Sequence, residues 1–92
     1  MPMLTKYECS RIIGVRTAQL QMSAPVLLDL TTIPMHLHTN EMYIAACELK
    51  AGVLDLIIRR PLPMNKYKEV HIKDLSLPDD LDALIALYGN YY

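Results

Sequence analysis

One stretch near the N-terminus limits what this chain can become. From Thr5 to Pro25 the sequence spells a capped helix that is apolar around most of its circumference. Thr5 suits the N-cap, and Glu8, three residues on, completes a Thr-x-x-Glu capping box. The helix can run to about Ser23, because Pro25 disfavours helical backbone in the residue before it. At about 100° per residue, Lys6, Ser10, Gly14, Thr17 and Gln21 share one narrow stripe, the expected solvent face. Cys9, Ile13 and Leu20 lie on one side of it and Tyr7, Val15, Ala18 and Met22 on the other, with Ile12 opposite. Glu8, Arg11, Arg16 and Gln19 are embedded in the same apolar region. An ordinary surface helix needs an apolar stripe a little over 100° wide, and this one covers roughly twice that. The expectation is two packed surfaces, one on the chain's own core and one on a partner.

Size and composition point the same way. A chain of 92 residues makes one domain and buries only about 60–65% of the surface its unfolded form exposes. Yet 52% of the residues are hydrophobic, above the usual level of about 45–50%. The excess weakly favours a permanent partner. A net charge of −1 leaves no basic footprint for nucleic acid, so little or no direct nucleic-acid contact is expected. Cys9 and Cys47 fall in different expected helices without metal spacing, which fits a reducing interior. Met1 to Leu4 run straight into a helix cap with no signal-peptide pattern, and no apolar run is long enough to cross a membrane. A soluble intracellular protein is expected.

Further along, Pro25 to His38 reads as an extended or irregular connection, with Val26 to Leu30 a short strand or an apolar loop. Asn40 can cap a second helix over roughly Glu41 to Ala51, and Gly52 can stop it. Leu54 to Arg60 reads as a strand, Pro61 to Asn65 as a turn, and Tyr67 to Ile72 as the returning strand. Pro78 can open a last helix, with Asp79, Asp80 and Asp82 at its positive end and Leu81, Leu84, Ile85 and Tyr88 on one apolar face. The fold class is therefore α+β: a small domain of two central helices and a C-terminal β-hairpin, with an extra C-terminal helix. The expected divisions are 1–76 and 77–92.

Three blocks in this order resemble a known family. The first is Thr5-Lys6-Tyr7-Glu8, then Arg11, Gly14, Arg16, Gln19-Leu20, Met22 and Ala24-Pro25. The second is Ile44-Ala45 with Glu48-Leu49. The third is Ile57-Ile58-Arg59-Arg60 followed by Leu62-Pro63. Over residues 4–75 the chain resembles the omega-like subunit of multisubunit DNA-directed RNA polymerases: omega in bacteria, subunit K in archaea, the shared sixth subunit of the eukaryotic enzymes. It departs from the pattern at Thr17, where the family often has alanine, and at Asn40-Glu41, where an aspartate-proline pair is common. The long acidic N-terminal tail of the nuclear members is absent from the sequence, so the partners of that tail are not carried over. The helix after Pro78 lies past the usual family end. The resemblance implies a non-catalytic subunit in a hetero-oligomer, which binds the largest subunit and other core subunits and supports assembly. It implies no cofactor, no metal and no membrane, and a place in the nucleus or cytoplasm by lineage, or in a virion if viral. The rival readings are a free intracellular adaptor using the same helix face and a small enzyme using His36, His38 or a cysteine.

The candidate partner-binding residues are Arg11, Ile12, Val15, Arg16, Gln19, Arg59 and Arg60. Arg11 and Arg16 can pair with carboxylates or carbonyls of a partner, or internally with Glu8 or Glu48. Arg59 and Arg60, adjacent on a strand, should be one packed and one solvated, because side chains alternate. His36 and His38 in an irregular loop are poor evidence for a zinc site, which needs about four ligands in good geometry. Cys9 and Cys47, on apolar faces, read as small hydrophobes. Tyr88 reads as packing rather than a base stacker, and Tyr91 and Tyr92 as a disordered end or part of an interface.

Overall fold

The computed structural model describes residues 3–89. Helix α1 (Lys6–Gln21) is followed by a connection holding two short 3-10 turns, then by helix α2 (Glu41–Ala51). Strands β1 (Ile57–Leu62) and β2 (Lys66–His71) form an antiparallel hairpin, and helix α3 (Leu81–Gly89) comes last. This is the α+β arrangement expected. The readings placed on Asn90, Tyr91 and Tyr92, and on Met1 and Pro2, lie outside the described residues. Among the described residues, no helix is long and apolar enough to cross a membrane.

Local chemistry sets both central helices. The Thr5 N–H donates to Glu8 Oε1 at 2.9 Å and the Glu8 N–H to Thr5 Oγ1 at 3.1 Å, closing the capping box. α1 stops at Gln21, two residues early, because Ser23 takes a positive φ of 70° that no helix accommodates. Asn40 Oδ1 accepts from the Tyr43 N–H at 3.1 Å, and Gly52 ends α2 at φ 74°, where a residue without Cβ carries no penalty. α1 packs on α2 through Cys9, Ile12, Ile13, Ala45, Ala46 and Leu49. A smaller cluster of Ile33, Leu37 and Ile44 folds the connection back onto α2. No strand forms over 26–30. That stretch is a loop, half-buried at Val26, Leu28 and Leu30.

The hairpin runs in register from Ile57 opposite His71 to Leu62 opposite Lys66. Leu54, expected to begin β1, is a buried lead-in residue. β1 instead continues through Pro61, which an edge strand tolerates because one side of its backbone has no partner. Ile72, expected in β2, is buried in a 3-10 turn just after it.

α3 starts at Leu81 rather than Pro78; Pro78 to Asp80 form the turn into it. Its apolar face lies on α2. Leu81 and Ile85 join the cluster that holds Cys9 and Ile12, and Asn40 Nδ2 donates to the Tyr88 carbonyl at 3.1 Å. The expected cost of Leu81→Ala is therefore about 2–5 kcal/mol. Leu87→Ala on the exposed side should stay within about 0.5 kcal/mol. Denaturant unfolding of the two variants compares them. Equal stabilities would mean that α3 is not docked.

Candidate partner-docking groove

Arg16 is the most constrained of the candidate residues. It is 6% exposed, and Glu48, on the face of α2 that packs against α1, is 0% exposed. Arg16 Nε donates to Glu48 Oε1 at 2.8 Å and Nη2 to Oε2 at 3.0 Å, a two-pronged pair. Nη2 also donates to the Pro25 carbonyl at 2.7 Å and Nη1 to Gln19 Oε1 at 3.1 Å. The Leu27 N–H donates to Glu48 Oε2 at 2.8 Å. The network ties α1, α2 and the connection together. Of the two kinds of partner open to Arg16, outside and inside the chain, the structure shows the inside one, Glu48. The sequence signal was Glu48 at helical spacing from Ile44, Ala45 and Ala51, a lone carboxylate in an apolar arc. Such a group needs a buried cation.

Arg60 is likewise held within the chain. Nε donates to Glu8 Oε2 at 3.1 Å and Nη2 to Oε1 at 3.0 Å, and Nη2 also reaches the Met3 carbonyl at 2.7 Å. This joins the hairpin to the capping box of α1. Arg59, the next residue, points the other way and lies 4.6 Å from the Tyr67 ring centre. One arginine is packed and one exposed, as strand alternation requires. Burial alone pushes the Glu8 pKa up, but hydrogen bonds from Thr5 and Arg60 outweigh it and hold the carboxyl below its ordinary 4.5. A lowered carboxyl pKa contributes stability that is present above the unfolded value and lost as pH falls through the folded one. The domain should therefore weaken as pH drops below about 4.5. Glu8→Gln should flatten that acid limb while lowering the neutral-pH melting temperature, as thermal melts across pH will test.

What remains of α1 faces outward. Thr17, expected on the solvent stripe, is buried and donates from Oγ1 to the Ile13 carbonyl at 2.7 Å. The stripe is displaced because α2 covers the side centred on Cys9 and Arg16. The second apolar side is bare: Tyr7 is 83% exposed, Val15 52% and Met22 84%. Arg11 lies within this side, exposed, with no carboxylate or carbonyl partner among the described residues.

Between α1 and the hairpin runs an open groove of about 340 Å³. Glu8, Arg11, Ile12 and Val15 form one wall and residues 56–59 the other. Ile12 is buried in the core and forms part of the groove lining, while Val15 and Ile57 offer exposed apolar surface. The structure thus brings Arg11, Ile12, Val15 and Arg59 together. It keeps Arg16 and Arg60 apart in internal pairs, with exposed Gln19 bonded to Arg16. Leu56, Ile57 and Ile58 are not among the partner-binding candidates, since which strand edge faces a helix is set only by folding.

Chemistry elsewhere is quiet. Burial, with the carboxylates of Glu8 and Asp80, pushes the Cys9 thiol above its ordinary value. Burial does the same for Cys47, which disfavours the thiolate form of both. His38 Nε2 lies 2.8 Å from the Leu30 carbonyl and 2.9 Å from that of Ile33, so it carries the hydrogen and fastens the loop. Among the described residues no three His, Cys, Asp or Glu side chains gather as metal ligands.

No protein-family model matches the chain. Curated relatives do. It is 42% identical over 74 residues to "DNA-directed RNA polymerase subunit Rpo6" of Pyrobaculum aerophilum, covering 80% of this chain and 67% of that protein. It is 39% identical over 74 residues to "DNA-directed RNA polymerases I, II, and III subunit RPABC2" of Schizosaccharomyces pombe, covering 80% and 49%. It is 38% identical over 78 residues to the probable RPABC2 of Caenorhabditis briggsae, covering 85% and 53%. The chain spans about half the length of the latter two. With a folded core built on the same helix and strand blocks that carried the resemblance, the chain belongs to the Rpo6/RPABC2 family, the omega-like subunits of RNA polymerase.

Proposed function

We propose that the chain is a non-catalytic subunit of a DNA-directed RNA polymerase. It binds the largest subunit, meets other core subunits, and supports assembly and stability of the enzyme. The supporting observation is the bare apolar side of α1, Tyr7, Val15 and Met22 around exposed Arg11, running into the groove beside β1. A stripe of this kind on a small domain is a place for another protein. Arg11, Ile12, Val15 and Arg59 make the contact; Arg16, Gln19 and Arg60 hold the surface in shape. Residues 1–76 carry the docking role, and α3, within the 77–92 extension, steadies α2. Nucleotidyl transfer belongs to the catalytic subunits, and the chain resides wherever the polymerase does, nucleus or cytoplasm. The test is affinity purification of the tagged full-length chain from its native cells, with mass spectrometry of what comes along. Large polymerase subunits in near-equal amount are expected. A preparation without them, from cells whose polymerase is intact, overturns the proposal.

A further inference from the structure

The groove has a feature that narrows what can occupy it. Residues 56–59, four in succession, line its strand side. A strand that turns its face to a groove contributes only every second residue, because successive side chains point opposite ways. Three successive β1 residues, Ile57 to Arg59, with Leu56 just before them, put the groove along the edge of β1. The sheet has two strands and β2 takes the other edge, so the backbone N–H and C=O groups on this edge have no strand beside them. Pro61, with no N–H to offer, closes the far end of the edge. The open length of four residues is roughly 13 Å. The facing stretch of α1, Glu8 to Val15, rises about 10 Å. The two walls match a short extended segment.

Charge then selects among extended segments. Glu8 is neutralised by Arg60. Arg11 and Arg59 have no ion-pair partner among the described residues, and stacking over Tyr67 leaves the Arg59 N–H groups available. Glu69 stands opposite Arg59 in register but is not within ion-pair reach of it. The groove therefore offers apolar surface at Val15 and Ile57 and positive charge at Arg11 and Arg59.

We infer that the groove takes an extended acidic segment of the polymerase partner, added as a third strand along the open edge of β1. Its carboxylates meet Arg11 and Arg59 and its alternate apolar side chains lie on Val15 and Ile57. This rests on the groove being the docking face proposed above. A second copy of the chain is a poor occupant, because β1 against β1 would set Arg59 near Arg59.

Single-residue hydrogen exchange of the full chain, alone and within purified polymerase, tests the inference. Outward amides at alternate positions of 56–59 should exchange fast in the free chain and slow by roughly a hundredfold or more in the assembly. The double variant Arg11→Glu with Arg59→Glu should keep its melting temperature but enter the polymerase more than about tenfold less well, and Arg59→Gln should fall between. If the chain enters the polymerase while these amides exchange as fast as before, the added strand is refuted and the docking face survives. A helix or a loop lying in the groove would give that result. If the double variant enters as well as the natural chain, the acidic character of the segment is refuted. If the natural chain never enters, the docking face itself fails, and this inference with it.

Discussion

Arg16→Ala is expected to cost the free domain about 3–5 kcal/mol, because it strands the Glu48 carboxylate in the core. At roughly 0.05–0.15 kcal/mol per residue, a domain of this size has about 5–14 kcal/mol in all, so the variant will be marginal. The cause is the missing cation rather than lost volume. Glu48 is fully buried, and the only charges it meets among its hydrogen-bond partners are on Arg16. Removing both charges separates the explanations: Arg16→Met with Glu48→Leu should recover most of the loss, since apolar replacement of a buried pair is often neutral or stabilising. Denaturant titrations with unchanged slopes measure all three chains. A double variant as unstable as Arg16→Ala alone would mean that shape, not charge, governs the site.

Val15→Asp should do the opposite, leaving the free domain intact and weakening assembly severely. Val15 is about half exposed in the free chain, and a surface substitution there should shift stability by no more than about 0.5 kcal/mol. Once a partner covers it, the aspartate is a buried charge without a cation built for it, a loss of several kcal/mol. A loss of about 3–4 kcal/mol is a 100- to 1000-fold weaker affinity. Lys6→Ala, on the wet side of α1, is the control and should bind as the natural chain does. Unfolding and binding titrations on the same preparations decide it. Equal affinity of Val15→Asp and Lys6→Ala for the polymerase would remove α1 from the interface.

These two residues also show what sequence can and cannot say. Both lie in one helix whose start is written locally, by Thr5 and Glu8, and was legible. So was α2, bracketed by Asn40 and Gly52. Periodicity then gives the angles between side chains but not which angle faces the core. Periodicity alone puts Thr17 in solvent, yet it is buried while Val15 lies bare, because the position of α2 sets the phase. The partner of Arg16 is 32 residues away. Glu48 was one of two internal choices beside an external one, and only folding distinguishes them. Strand ends shifted for the same reason: β1 extends to Leu62 because β2 pairs with it that far, not because Pro61 favours a strand. The site was half legible. Arg11, Val15 and Arg59 converge on the groove, but its strand wall depends on which edge of the hairpin meets α1, a property of tertiary packing. α3 illustrates the limit most simply. Its apolar face was evident from Leu81, Ile85 and Tyr88, yet its neighbour, α2, was not.

The second apolar side of α1 is expected to be covered by the polymerase. Hydroxyl-radical footprinting of the free chain and of the assembled enzyme reads it side chain by side chain. Tyr7, Val15 and Met22, all exposed in the free domain, should lose most of their reactivity on assembly, while Lys6 and Gln21 keep theirs. If Tyr7, Val15 and Met22 react equally in both states, with the chain demonstrably in the complex, the polymerase holds it by some other surface and the account is wrong.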